Sequence, residues 1–383
     1  MWLEYGPDGP LARTIVTSGG ACPEIDIDGR RERMLVHSEP APNYKVRVCQ
    51  AAIPREARNA SIGGEALPVA KLGRAVKVAI VGDTGCRLKV GSKVQDCSDP
   101  KKWPFATVAA SIAAWDPDIV LHVGDYYYRE AVCDSSGNCT PSTYNWARWN
   151  ADFFTPAEPL LRNTPWIFVR GNHEMCGRAA EGWVRFLDPR NYVWENANTC
   201  NSNLQFTPPY RVSVGELHVT VMDTSSLKNS NQKQSAMMAG QFELLANAKP
   251  NTWLMMHHPI WADDVGDPVT DTLWDAWQQA GNTTSAVSLL LTGHIHMLEM
   301  ISFTDNGVPL IVAGNGGTAL DTAPTNAVGL AVGPRVIKSF TADDDFGFIT
   351  GMPSAGGWTF EIRDKNGKAK TKCGATSTSL VCD

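Results

Sequence analysis

Five short blocks hold most of the side chains able to do chemistry: Gly82-Asp83-Thr84-Gly85, Gly124-Asp125-Tyr126-Tyr127-Tyr128, Gly171-Asn172-His173-Glu174, His257-His258-Pro259 and Gly293-His294-Ile295-His296. Five of the eight histidines in the chain lie inside them. The blocks offer carboxylates, an amide, imidazoles and phenols, all hard oxygen or borderline nitrogen donors. Such a set suits iron, manganese or zinc better than copper or an iron–sulfur cluster. Two Asp, one Asn, one Tyr and three His are too many for one ion with open positions. They suit two cations ~3.5–4 Å apart sharing a carboxylate, which can clamp attacking and leaving oxygens in phosphoryl transfer. Such a pair also lowers the pKa of a shared water. On chemistry alone Tyr126, Tyr127 and Tyr128 are equivalent candidates.

Each block follows an apolar run that reads as a buried strand, at 76–81, 118–123, 166–169, 252–256 and 288–291. Another strand is expected at 218–221. Ala, Val and Ile at helical spacing predict a helix over Phe105–Trp115, and a second helical stretch covers 144–161. Strands alternating with helices imply an α/β body with a largely parallel sheet. Ligands of such sheets bind in the crevice at the carboxyl ends of the strands, where the blocks fall. Beyond Gly293 the chain turns strand-rich, with Asn306-Gly307 and Asn366-Gly367 as hairpin candidates. Residues 1–72 have short apolar or alternating runs, an Asp28-Gly29 turn and no helical period. They predict a small β-rich N-terminal module ahead of a main body at 73–383.

A chain of 383 residues exceeds the usual single-domain size. Its net charge of -6 shows no basic bias, which argues against nucleic acid or an anionic membrane surface as partners. No run approaches the ~20 apolar residues of a membrane span. Ten cysteines without a C-x-x-C pair argue against a zinc ribbon or a thioredoxin-type motif. In chain order they fall into local pairs, Cys22–Cys49, Cys86–Cys97, Cys133–Cys139, Cys176–Cys200 and Cys373–Cys382, although spacing does not fix connectivity. Disulfides imply a secreted or periplasmic protein. The first residues show no charged segment followed by an apolar stretch, so that expectation carries a signal peptide absent from this chain.

In combination and order, the blocks resemble those of the purple acid phosphatases, within the calcineurin-like metallophosphoesterases, over roughly residues 75–320. The wider superfamily reads Asp-x-His in its first block. Here it reads Asp83-Thr84-Gly85, and Tyr128 follows Asp125 by three residues, as in the purple branch. The resemblance implies a layered αββα sandwich of mixed sheets behind the N-terminal module, and it selects Tyr128 among the tyrosines. It implies Asp83, Tyr128 and His296 around Fe(III). Asn172, His257 and His294 would hold a second divalent ion (Zn, Fe or Mn), with Asp125 bridging both. The implied reaction is hydrolysis of a small phosphomonoester by a metal-bound hydroxide. His173 would protonate the leaving oxygen or hold a phosphate oxygen, and Glu174 would orient His173. The alternatives are a phosphodiesterase on the same site and a non-catalytic phosphate- or metal-binding protein. Intact donors at all seven positions, together with His173, count against the latter.

Plant-type relatives carry further histidines after the His-x-Pro block, whereas this chain carries Asp263, Asp264 and Asp267. Acids there repel a doubly charged monoester more than a singly charged diester, and Arg178 is a candidate compensating cation. His258 is a candidate substrate contact, with a supporting or merely packed role as the alternatives. His122 is expected in the core, and His37 and His218 at the surface.

Overall fold

Side chains alternate across each central strand, and this alternation sets the layers. The computed structural model describes every residue except 18, 76, 93, 135–136 and 263–270. Strands Val78–Val81, Ile119–His122 and Trp166–Phe168 lie side by side and parallel within an eleven-stranded sheet. In the first of them Val78 and Ile80 face a core shared with Val219, Trp253, Leu289 and Ile311 of a second sheet. Ala79 and Val81 face the other way, against helices Phe105–Trp115 and Thr155–Asn163. The second, eight-stranded sheet has Leu217–Val221, Thr252–Met255, Val287–Thr292 and Leu310–Ala313 in parallel. Its outer face is covered by Gln232–Glu243 and Asp271–Ala280. The order is thus helices, sheet, sheet, helices, the layered αββα sandwich expected.

Local chemistry explains where elements stop. Helix Phe105–Trp115 ends at Asp116, whose left-handed φ of 56° and following proline cannot continue it. The Asp28-Gly29 turn joins Glu24–Ile27 to Arg30–Arg33, with φ of 50° and 85° at its two central residues, as a two-residue hairpin requires. No described helix is long and apolar enough to cross a membrane.

The first 72 residues are β-rich, and the principal sheet runs through them. Strand Trp2–Gly6 pairs in parallel with Trp166–Phe168, Glu4 opposite Trp166. Gly9–Thr17, Val46–Ala52 and Leu35–Ser38 then extend the same sheet to its edge. Four short strands, Glu24–Ile27, Arg30–Arg33, Ala60–Ile62 and Glu65–Ala66, form a separate sheet beside it. At the opposite edge Gly347–Ser354, Gly357–Asp364, Ala369–Ala375 and Leu380–Cys382 continue in antiparallel order. All ten cysteines are paired, in the chain-order connectivity.

Candidate metal centre

Five parallel strands end at one rim of the sandwich, and each delivers one block there. Asp83 follows Val78–Val81, Asp125 follows Ile119–His122, and Asn172 follows Trp166–Phe168. His257 and His294 follow Thr252–Met255 and Val287–Thr292. Asp83, Asp125 and His294 have left-handed φ values of 54°, 57° and 75°. Such values cost energy in non-glycine residues and gather where a side chain must be aimed. Two glycines in the motifs have a steric reason. A Cβ on Gly171 would overlap Asp125 Oδ1, and one on Gly293 would lie 2.5 Å from Asp83 Oδ2.

All seven candidate ligands converge. The Tyr128 hydroxyl lies 2.9 Å from Asp83 Oδ1, Asp125 Oδ2 and His296 Nε2. A phenol has one proton and can satisfy only one of three acceptors. Opposite, Asn172 Oδ1 lies 3.0 Å from His257 Nε2 and 3.3 Å from His294 Nδ1. Asp125 Oδ2 lies 3.2 Å from the same His257 Nε2. His257 Nδ1 faces the Val123 carbonyl at 2.9 Å and must donate to it, so the neutral ring turns its lone pair inward. Asp83, Asp125 and His257 place their ligand atoms within 4.8 Å of one another.

Lone pairs crowded this closely need protons or cations between them. Protons are one solution. Burial alone would lower His257, but Asp125 carries its pKa up to about 9. Burial works against ionised Asp125 too, yet His257 and then His173 hold its pKa well below the usual carboxylate range. Burial pushes Asp83 well above that range, partly opposed by His257 and reinforced by Asp125. With its amide turned over, Asn172 would donate to Asp125 Oδ2 and His257 Nε2, both at 3.0 Å. Cations are the other solution, and the donor set fits them. Oxygen and imidazole donors fall into two groups sharing Asp125, and every ligand except His294 and Asn172 is fully or nearly fully buried.

Of the three adjacent tyrosines, only Tyr128 brings its hydroxyl to these carboxylates. Tyr126 donates to the Val169 carbonyl at 2.9 Å, and the buried Tyr127 hydroxyl has no hydrogen-bond partner among the described residues. His122 is a core residue, as expected, stacked on Tyr126 and 3.0 Å from Thr84 Oγ1. His37 departs from its expected surface position. Its Nε2 lies 3.1 Å from the Val184 carbonyl, and burial takes its pKa down to about 3. His218 is half-buried against Ser213 Oγ.

One expected role needs correction. Glu174 does not orient the His173 ring. Its carboxylate accepts the backbone N–H groups of Tyr126, Tyr127 and Gly171, so it braces the second block against the third. The charged side chains at the His173 ring are Arg178, with Nη2 2.6 Å from Nδ1, and Glu130, with Oε1 3.4 Å from Nδ1, 2.6 Å from Arg178 Nε and 3.2 Å from the Tyr144 hydroxyl. Sequence reading overlooked Glu130, although it stands only two positions beyond Tyr128. His258, a candidate substrate contact or packed residue, is buried against Thr224 Oγ1 and the His294 ring. Thr224 and Asp152 were also overlooked. Thr224 Oγ1 accepts from the backbone of both His257 and His258. Asp152 accepts from the backbone of Cys86, Tyr128 and Arg129.

The centre opens into a cavity of about 780 Å³ lined by Asp125, Asn172, His173, His294, His296 and Arg178, and by Arg87, Lys89 and residues 321–325. Arg178, the candidate compensating cation, is thus part of the cavity wall. Asp263, Asp264 and Asp267 lie outside the described residues.

The chain matches the calcineurin-like phosphoesterase family over residues 76–298, more than half its length. It belongs to that family. Within it the resemblance runs to purple acid phosphatases. Tartrate-resistant acid phosphatase type 5 of Mus musculus is 23% identical over 232 residues, 55% of this chain and 64% of that protein. Purple acid phosphatase 23 of Arabidopsis thaliana is 23% identical over 335 residues, 82% of this chain and 65% of that protein. The chain thus spans less than two thirds of the length of either relative. In fold it is similar to the purple acid phosphatase PPD1 of yellow lupin (Lupinus luteus), with a TM-score of 0.62 and 16% identity, covering 97% of this chain and 73% of that one.

Proposed function

We propose that this family member is a binuclear metal-dependent phosphatase acting on small phosphomonoesters, secreted or periplasmic as its five disulfides favour. The observation that carries the reading is the Tyr128 hydroxyl, set among three acceptors at 2.9 Å within a ring of seven donors. Asp83, Tyr128 and His296 would hold Fe(III), and Asn172, His257 and His294 a divalent Zn, Fe or Mn, with Asp125 shared. Bound there, the two cations supply positive charge for the phosphoryl oxygens and acidify a water.

The chain's own residues position and protonate. His173 faces the cavity, its backbone N–H donating to Asp125 Oδ1 at 2.8 Å. Hydrolysis breaks the bond between phosphorus and the ester oxygen and forms one from phosphorus to a water oxygen. His173 gives its proton to the departing ester oxygen, and the water proton returns to the pool. Burial lowers the His173 pKa and Arg178 adds to this, while Asp125 and Glu130 oppose. Arg178 Nη2 lies 2.6 Å from His173 Nδ1, and its Nε pairs with Glu130 at 2.6 Å. Arg178 also faces the cavity, where a phosphoryl oxygen gains a cationic neighbour.

The test is kcat/KM for p-nitrophenyl phosphate against bis-p-nitrophenyl phosphate across a pH series, with iron, zinc and manganese quantified on the same sample. A monoester preference is expected. A diester preference would transfer the same centre to phosphodiester chemistry. Asp125→Ala should remove both metal retention and turnover; activity with both metals still bound would sink the shared-ligand assignment.

A further inference from the structure

Two cations at the cavity wall lack the carboxylate partners that their neighbours have. Arg129 binds Asp152 and Arg178 binds Glu130, whereas neither Arg87 nor Lys89 makes an ion pair among the described residues. Arg87 Nε is shielded from solvent and has no hydrogen-bond acceptor. Both side chains line the same cavity as Asp125, Asn172, His173 and His296. Between them Leu88 is bridged in parallel to Arg129, and its N–H donates to the Tyr128 carbonyl at 3.0 Å. In such an extended stretch, residues two apart project to the same side, so Arg87 and Lys89 act together. Their backbone is anchored. The Cys86–Cys97 disulfide closes the loop, and buried Gln95 accepts from Arg87 N–H and donates to the Lys102 and Gly317 carbonyls.

We propose that Arg87 and Lys89 form a second anion subsite, so that the preferred substrate is a phosphomonoester whose leaving group carries a further phosphate or carboxylate. The proposal rests on the phosphatase reading of the metal centre. The cavity far exceeds one phosphoryl group, so the ester's remainder must lie along its walls. A guanidinium fork matches a phosphate or carboxylate in two hydrogen bonds, and an ammonium beside it adds an adaptable point charge. Asp321, the acid in the same wall, has Oδ2 turned to the His296 backbone N–H at 3.1 Å.

The experiment measures kcat/KM for fructose 1,6-bisphosphate, 2-phosphoglycolate and p-nitrophenyl phosphate on the metal-loaded protein and on Arg87→Gln, Lys89→Gln and Arg87→Lys, at one ionic strength. The readout is the ratio of each ester with an anionic leaving group to p-nitrophenyl phosphate. Arg87→Gln should lower it about tenfold and Lys89→Gln about threefold, as loss of a charge-assisted hydrogen bond implies. Arg87→Lys should restore part of it. A fall for fructose 1,6-bisphosphate alone assigns the subsite to phosphate, and a fall for phosphoglycolate alone assigns it to carboxylate. Exposed Lys89 carries the test should Arg87→Gln fail to fold. Unchanged ratios with p-nitrophenyl phosphate still hydrolysed overturn the subsite and leave the phosphatase reading standing. No turnover of any ester by the unmodified protein with both metals bound overturns that reading, and the subsite with it.

Discussion

In the proposed reaction His173 protonates the leaving group and must be held in one orientation, and its Nδ1 has Arg178 Nη2 at 2.6 Å, the Tyr127 carbonyl at 3.2 Å and Glu130 Oε1 at 3.4 Å. Glu130 stays ionised across the working range. Burial would raise its pKa, but hydrogen bonds to His173 and Arg178 bring it down to about 2. Glu130→Gln should therefore cost more on esters with poor leaving groups, which need the proton, than on those with good ones. We expect kcat to fall about a hundredfold for glycerol phosphate, the order of a lost general acid, and severalfold for p-nitrophenyl phosphate. Equal losses on both would reduce Glu130 to a structural prop. The convergence of the candidate ligands was legible because each block stands at the end of an apolar strand, most of them opening on a glycine. Glu130 and Thr224 were not, because their roles depend on which loops meet across the rim, and no spacing within one block records that. Glu174 misled for the same reason, being next to His173 in the chain while its carboxylate turns to the backbone of the second block.

Among elements, the loops behind the third block depend on a cross-link. Cys176–Cys200 closes a sequence separation of 24 residues, and Arg170 lays its guanidinium 3.7 and 3.9 Å from the two sulfurs. Arg170 in turn donates to the Glu174 carbonyl at 2.8 Å and pairs with Asp223 at 3.2 Å. Cys176→Ala with Cys200→Ala should lower stability by about 3 kcal/mol on urea unfolding, from loop-closure entropy alone. Metal content should drop as well, since Asn172 loses a rigid base. A double variant as stable as the parent would show that Arg170 alone holds the loop. The parallel strands and the Asp28-Gly29 hairpin were readable because their signals are short apolar runs and turn residues. Sheet order was not, because pairing such as Glu4 with Trp166 has no local signature.

For the whole molecule, that pairing decides whether the N-terminal 72 residues can be spared. Their composition reads as a separate module, but their first strand fills a place inside the principal sheet. A chain lacking residues 1–72 would uncover Trp166–Phe168 and lose the burial of Trp2, Leu3, Tyr5, Tyr44, Val46 and Val48. At about 1.5–3 kcal/mol for each large apolar side chain, the loss rivals a total stability of about 5–15 kcal/mol. Circular dichroism and gel filtration of the truncated chain should show an unfolded or aggregated product; a folded monomer with metals bound would restore the modular view.

The same strand constrains the order of assembly. Trp2–Gly6 is made before the other strands of the principal sheet, and its hairpin with Gly9–Thr17 can close at once. Its parallel neighbour is synthesised only after both intervening blocks, with Asp83 and Asp125, have emerged. Until then the hairpin presents an open edge, of the kind that invites pairing with another chain. Long-range closure of this sort is slow. A strand made long before its parallel neighbour is thus among the last to be secured, and the nascent chain is most exposed to aggregation just before the strand leading to Asn172 arrives.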